Sequence, residues 1–397
     1  MIYGFYFQYY KYTHCKGISV VLAYLTRFLF FLKFQIERVF LRRKTVTMNI
    51  DEAIHVLQNT SPDPQREPSY SMCEQDPGVD LSIIVPVYNH IDVLAKCIES
   101  LLKQKTQYNY EVLLIDDGST DGAQSLVDLY KENDRVKIFH QENSGIAAAR
   151  NSGISLARGQ YLMFVDCDDT VKENMIDVLL TPAKDQDLDI VMGAHNLVKK
   201  KDGKITETVP NIYPRNNLLG YKNGDEIMNY AGLPWGKVYK RGLFKQVRFF
   251  PGYWYEDTIV QSLLFTQCKS FAYIPTVVYD YIWHESNFSH TQGGKKQPKA
   301  VDRYWLLSAI TQQYEQLQLP IDAKFYTVLL NHISMYYYRT IRTLPENVIQ
   351  AMFVAGRELL LKHKPDEKVR LPYMLRLTEK AVLENNIELW KLCSLNL

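Results

Sequence analysis

Tyr161-Leu-Met-Phe-Val-Asp166-Cys-Asp168-Asp169 is an apolar run that stops on three carboxylates within four positions. The run is too short to span a membrane and reads as a buried strand that delivers negative charge at its carboxyl end. Carboxylates at i and i+2, with a third beside them, repel one another unless a cation lies between, and hard oxygens select Mg2+ or Mn2+. A cation held there by one or two carboxylates keeps positions open for phosphate oxygens. The competing reading is a solvated turn that caps a helix predicted over 173–180.

Outward from this run, strands and helices alternate. Leu81-Ser-Ile-Ile-Val-Pro-Val-Tyr-Asn89 predicts a strand ending at Pro86, and Val93, Leu94, Cys97, Ile98, Leu101 and Leu102 then recur at helical spacing. Further strands are predicted over 111–115, 136–139 and 188–192, with helices over 122–131 and 146–157. Such alternation predicts a parallel sheet covered on both faces by right-handed crossovers, with the ligand where the strands' carboxyl ends meet. Three of those ends carry Asn89, Asp116-Asp117 and Asp166–Asp168, which together describe a cleft. Gly118 permits a tight turn, and Asp117 can accept hydrogen bonds from a base or ribose. Arg150, on the helix after Asn143-Ser-Gly145, either projects a cation toward that mouth or pairs with a nearby acid on the surface.

Ser82-Ile-Ile-Val-Pro-Val-Tyr-Asn89, Asp116-Asp-Gly-Ser-Thr-Asp121, Asn143-Ser-Gly-Ile-Ala-Ala-Ala-Arg-Asn-Ser-Gly153 and Phe164-Val-Asp-Cys-Asp-Asp169 resemble, in order and spacing, the motifs of bacterial family 2 glycosyltransferases. The resemblance covers roughly residues 81–292 and implies the GT-A fold, a Rossmann-like α/β architecture whose mixed, mostly parallel sheet is flanked by helices. It further implies that Pro86, Tyr88 and Asn89 line the nucleotide pocket, that Asp117 holds the base and that Arg150 lies against the nucleotide. Asp166-Cys-Asp168 matches the metal-binding DxD motif, with Asp168 the direct ligand of Mn2+ or Mg2+ and Asp166 chiefly facing the nucleotide sugar. The implied reaction moves a sugar from a nucleotide donor, UDP-linked, to a surface glycan or lipid-linked acceptor at the cytoplasmic face of the membrane.

Residues 199–220 form a polar passage with a hairpin expected around Lys201-Asp-Gly203, followed by a helix near 225–231. In Leu233-Pro-Trp-Gly-Lys-Val-Tyr239, Trp235 is a candidate to stack on a sugar and Lys237 to approach a phosphate; ordinary packing and solvation compete with both. Pro251-Gly-Tyr-Trp-Tyr-Glu-Asp257 leads into a helix predicted over 258–268. Family members place an acidic pair at such a helix start, so the role of base toward the acceptor hydroxyl falls on Asp257. Displacement at the anomeric carbon needs a carboxylate opposite the leaving diphosphate, and this arrangement inverts configuration. A helix cap with a favourable dipole is the alternative use of Glu256-Asp257. After a strand over 276–283, the polar stretch 284–294 suits a flap over bound donor, where His284 or His290 is placed to reach metal or diphosphate. There the chain departs from the arginine-rich version the resemblance leads one to expect.

Beyond Pro298 the pattern is helical, with Phe325, Val328, Leu329, Ile333, Tyr336 and Tyr337 on one stripe. The other end of the chain is different. Residues 1–47 carry eight Lys and Arg against Glu37, a net +7 that leaves −5 for the rest. Their longest apolar stretch, 18–34, is broken by Arg27 and Lys33, so it reads as an interfacial helix on anionic lipid and not as a spanning one. A helix packed on a partner, or an extension upstream of a second start at Met48, are the alternatives. The expected organisation is therefore a basic aromatic segment over 1–58, a proline-rich linker over 59–80, the sheet domain over 81–295 and a helical region over 296–397.

The body is mildly acidic, so the total charge says little about nucleic acid, and none is expected as a partner. Six scattered cysteines without a CxxC pair exclude a disulfide scaffold or zinc site and suit the cytosol. Nucleotidyl transfer would call for a glycine-rich, Lys/Arg-bearing loop where the chain has Pro86-Val-Tyr-Asn-His. A sugar-nucleotide-binding scaffold without turnover is the remaining non-enzymatic reading.

Overall fold

The β-branched run at 81–87 forms β1 (Leu81–Val87), whose residues are all buried because helices cover both faces of the sheet. The structure is a computed structural model, and it describes residues 16–201, 204–212, 222–283 and 297–396. The chain divides into two compact units, one of Ser61–Val328 and one of Met1–Thr60 with Leu329–Leu397.

In the first unit, β1 is followed by β2 (Tyr110–Asp116), β3 (Val136–His140), β4 (Tyr161–Phe164), β5 (Thr170–Val171), β6 (Ile190–Lys201), β7 (Lys204–Asn211), β8 (Lys222–Asn223), β9 (Lys237–Lys240) and β10 (Ser270–Trp283). Among the described residues the sheet runs β3-β2-β1-β4-β9-β6-β10-β5, with β7 on β6 and β8 on β10. The block β3-β2-β1-β4 is wholly parallel, and β6 pairs parallel with β10. Between them β9 runs antiparallel to both β4 and β6. This is the mixed α/β sheet expected.

Strand order reverses at β1, whose neighbours are β2 and β4, and a sheet of this kind opens a crevice at such a point. Register sets its shape. Leu81 lies opposite both Tyr110 and Tyr161, so β4 stops at Phe164 beside Ile84 while β1 continues to Val87 beside Asp116. The chain after Phe164 therefore turns alongside the end of β1, and Val165 N–H donates to the Ile84 carbonyl at 3.0 Å. The helix Ile146–Leu156 packs directly on β1, since a Cβ at Gly153 would come within 2.3 Å of Ile84 Cγ2. That close approach fixes how deep Arg150, one turn earlier, sits in the crevice. Phe164 closes the other side, with edge-to-face contacts to Tyr239, Phe244 and Phe249 at ring-centroid distances of 5.9, 5.7 and 5.4 Å.

Some expectations differ from what is found. The expected helix near 225–231 is a 3-10 turn over Gly224–Asn229. Lys237, a candidate to approach a phosphate, opens the central strand β9, whose four residues are too few to show an alternating pattern. Residues 61–80 are bonded along the sheet unit: Cys73 N–H donates to Ser155 O at 2.8 Å and Asp76 N–H to Arg158 O at 3.0 Å. Their prolines mark irregular backbone, not free backbone. The helix Asp302–Gln316 likewise belongs to the sheet unit. The hairpin tip at Asp202-Gly203 lies outside the described residues.

The second unit is helical, built from Lys16–Phe40, Ile50–Thr60, Glu346–Lys362, Tyr373–Leu383, Ile387–Asn396 and the π and α turns over 332–341. Trp390 is fully buried and its Nε1 donates to Ile333 O at 2.9 Å. Ile333 and Tyr337 of the expected stripe are fully buried here, and Phe325 and Val328 are buried in the sheet unit, so these positions are core. Along Lys16–Phe40, Val21, Leu25, Phe28, Leu29, Leu32, Ile36, Val39 and Phe40 are all 45–81% exposed at helical spacing, while Phe34 on the opposite side is buried. No helix among the described residues is long and apolar enough to cross a membrane.

Candidate active site

Two loops lace the crevice at the ends of β1 and β2. Asn89 has φ +62° and His90 φ +66°, a left-handed pair that turns the chain sharply after Tyr88. Asn89 N–H donates to Ser119 Oγ at 2.9 Å, and Asn89 Oδ1 accepts from Thr120 N–H at 2.9 Å. Pro86 is buried under this turn, whereas Tyr88 is 46% exposed at the end of β1. Asp117 is only 2% exposed and accepts from Gln141 Nε2, Ser144 N–H and Gly145 N–H at 2.7, 2.9 and 2.8 Å. The carboxylate expected to hold a base is thus turned into the 141–145 loop, which it fastens. Gly118 permits this, at φ +75° with a Cβ position 2.9 Å from Asn143 N. Asp116, equally buried, accepts from Ser119 N–H and contacts His140 Nδ1 at 2.9 Å, a bond that holds the imidazole above its usual pKa.

The acidic turn after β4 is held from behind. Tyr279 of β10 donates its hydroxyl to Asp169 Oδ2 at 2.6 Å and accepts from Asp166 N–H at 3.2 Å, and Ile282 N–H donates to Asp169 Oδ1 at 2.7 Å. Burial, with the charges of Asp168 and Asp166, pushes the Asp169 carboxyl well above the usual range. Asp169 is therefore the anchor of the turn, while Asp166 and Asp168 stay partly exposed at its front.

Arg150 joins this turn to the acidic pair of the 251–257 loop. Its Nη2 donates to Asp166 Oδ1 at 2.9 Å and its Nη1 to Glu256 Oε1 at 2.7 Å, with the guanidinium 5.2 Å from the Phe249 ring centroid. Burial opposes the charge, but the two carboxylates outweigh it and hold the Arg150 pKa above its ordinary value. At 2% exposure both arms of the fork are occupied, so Arg150 is a clamp between carboxylates and does not lie open to a nucleotide. Sequence spacing could not have paired residues 150, 166 and 256; only the two crossings of the sheet bring them together.

Asp257 stands beside this clamp, at the start of the helix over 258–267, which contains a π turn at Val260–Leu264. It is partly exposed, and desolvation together with the Glu256 charge pushes its carboxyl up to about 6, against the pull of Arg303 and Arg150. A carboxylate so poised can take a proton from a hydroxyl near neutral pH. Tyr255, just before the pair, has φ +66°, a strained conformation for a bulky residue. Arg303, which sequence reading did not single out, lies with its guanidinium carbon 3.6 Å from the Tyr255 ring centroid.

Two further expectations are corrected. Trp235 is 6% exposed and stacks at 10° on Tyr279 and Tyr281, with centroids 4.6 and 5.6 Å away, so its ring is packed in the core and closed to a sugar. Lys237 is 6% exposed, donates to Leu233 O at 2.7 Å and lines a hollow with His195, Tyr230 and Tyr273. Burial lowers its pKa to about 7, and no phosphate-facing role follows from that place in the sheet. His284 and His290 lie outside the described residues. Among the described residues no three His, Cys, Asp or Glu side chains converge as a metal cage. The donor set that remains, Asp166 and Asp168 at i and i+2, suits a Mg2+ or Mn2+ ion that takes its other oxygens from water and a diphosphate.

Residues 82–247 match the family model described as Glycosyl transferase family 2. The chain is 34% identical over 222 residues to glycosyltransferase GlyG of Streptococcus pneumoniae serotype 4, covering 53% of this chain and 73% of that protein. It is 32% identical over 225 residues to uncharacterized glycosyltransferase YibD of Escherichia coli K12, covering 54% of this chain and 65% of that one. In fold it is similar to residues 1–349 of S. aureus TarS, whose crystal structure holds UDP-GlcNAc, with a TM-score of 0.60, 18% identity, and coverage of 80% of this chain and 90% of that 1–349 chain.

Proposed function

Because this chain belongs to glycosyl transferase family 2, we propose that it moves a sugar from a UDP-linked donor to a glycan or lipid-linked acceptor with inversion. The observation that carries this reading is the Arg150 clamp, which brings the DxD turn at Asp166 and the Glu256-Asp257 pair to one guanidinium. Tyr88 and Asn89 receive the nucleotide at the switch point between β1 and β4. Asp168 and Asp166 would hold the ion, which when bound neutralises charge on the diphosphate. Asp257 accepts the acceptor hydroxyl's proton as that oxygen forms its bond to the anomeric carbon and the bond to the diphosphate breaks. Glu256, tied to Arg150, fixes the loop so that Asp257 faces the reacting carbon from the side opposite the leaving group.

The exposed apolar face of Lys16–Phe40, in a segment of net +7, favours contact with an anionic membrane surface, and hence action at the inner face of the membrane. A panel of UDP-sugars, assayed for UDP release with Mn2+, with Mg2+ and with chelator, tests the reading. Transfer that is independent of metal, or release from no UDP-sugar in the presence of a glycan extract, would overturn it.

A further inference from the structure

The loop that carries Asp257 is held in an unfavourable shape, and what holds it lies outside residues 82–247 that match the family. Gly252 at φ +87° and Tyr255 at φ +66° bend the chain twice within four residues. The helix Asp302–Gln316 meets the second bend, and the turn Pro298–Val301 that leads into it meets the first. Asp302, fully buried, accepts Trp254 N–H on Oδ2 at 2.9 Å and Ser61 Oγ on Oδ1 at 3.3 Å. Lys299, in the turn leading into that helix, donates to Gly252 O at 2.9 Å. Arg303 covers the Tyr255 ring at 3.6 Å and is the first of the cations whose charge acts on Asp257, ahead of Arg150. From the other side, Tyr253 donates its hydroxyl to Asp63 Oδ1 at 2.6 Å.

We infer that Asp302 and Arg303 are positioning residues for the transfer reaction: Asp302 fixes the backbone of the 252–255 bend, and Arg303 fixes Tyr255 and places a positive charge beside Asp257. The inference rests on the reading of Asp257 as base. A strained bend relaxes when its outer contacts go, and a relaxed bend carries Asp257 away from the acceptor oxygen, where a misplacement of about 1 Å costs on the order of a hundredfold in rate. Donor binding, which depends on the Tyr88-Asn89 turn and on Asp166 and Asp168, is left unaffected while Arg150 still holds Asp166.

The test uses the full chain, with UDP-GlcNAc as donor or the UDP-sugar that the panel identifies. Arg303→Met is expected to lower kcat at least tenfold with donor KM within twofold, and Arg303→Lys, which restores charge without the planar stack, to recover part of that loss. Tyr255→Leu, with Arg303 intact, is expected to lower kcat in the same way and guards against a poorly folded Arg303 variant. Unchanged kcat in Arg303→Met and Tyr255→Leu, a loss confined to donor KM, or a lysine that recovers nothing would overturn the inference. Asp257→Asn, run alongside, separates the two failures: turnover that survives it sinks the base reading itself, while turnover that it abolishes but Arg303→Met spares sinks only the positioning role.

Discussion

Replacing Asp257 by asparagine should make the protein more stable and less active, and the pH dependence of the gain can be worked from the site. The Asp257 carboxyl is pushed from its usual 3.8 to about 6 by desolvation and by Glu256. Each unit of such a shift is about 1.4 kcal/mol, so the ionised form costs the folded state up to about 3 kcal/mol. The sign follows from proton binding. Between pH 3.8 and about 6 the folded chain holds a proton that the unfolded chain has released, so the cost is absent below pH 4, grows as pH rises, and is complete above about 6. Asparagine has the same shape and no charge to desolvate. Melting curves of wild type and Asp257→Asn should coincide near pH 4 and separate above pH 6.5, with the variant higher by roughly 5–10 °C for a unit of this size. A variant that melts below wild type at pH 8, or a difference that does not change with pH, would refute the argument, since the carboxylate would then be a stabilising helix cap.

Arg150→Met leaves Asp166 and Glu256, which are 24% and 17% exposed in their side chains, facing each other without a cation; a loss of about 3 kcal/mol is expected by chemical denaturation, and Arg150→Lys should recover little because one nitrogen replaces the two separate arms of the fork that the carboxylates hold. Lys237 should make stability rise with pH between 7 and 10.5, since the unfolded chain binds the proton that the buried amine gives up at about 7; Lys237→Met should flatten that slope in the same titration. Phe164→Ala should cost about 3–5 kcal/mol and broaden the melt, because Tyr239, Phe244 and Phe249 all close on that ring. Vesicles containing phosphatidylglycerol should co-sediment the protein at low salt and neutral phosphatidylcholine vesicles should not, and Phe28→Ser with Leu32→Ser should abolish the difference; equal sedimentation with both lipids would contradict an anionic-surface role.

The sheet was legible because its strands are dense in Val, Ile and Leu and separated by helical periods, which leave one arrangement of crossovers. The acidic ends at Asp116-Asp117 and Asp166–Asp168 were legible for the same reason, since residues at strand ends inherit their place from the sheet. Arg150 was placed on the right helix, and of its two readings the pairing with acids is the one found, buried and not at the surface. Its two carboxylates lie 16 and 106 residues away, and no local pattern encodes a contact of that separation. Trp235 and Lys237 misled because an aromatic and a cation beside Gly and Pro look like ligand chemistry, whereas β9 draws both into the middle of the sheet. Asp302 carried no signal because an acid opening a helix is what helix capping alone would select, and Arg303 none because a lone arginine in a helical stretch reads as solvated surface.

In the proposed reaction the DxD turn and the Glu256-Asp257 pair serve one transfer from two sides. Measuring UDP affinity by calorimetry in Mn2+ alongside turnover for Asp168→Asn and Asp257→Asn tests it most directly. Asp168→Asn should lose both, and Asp257→Asn should bind UDP within twofold of wild type while kcat falls at least a hundredfold. Equal loss of UDP affinity in both variants, or turnover that persists in Asp257→Asn, would contradict it.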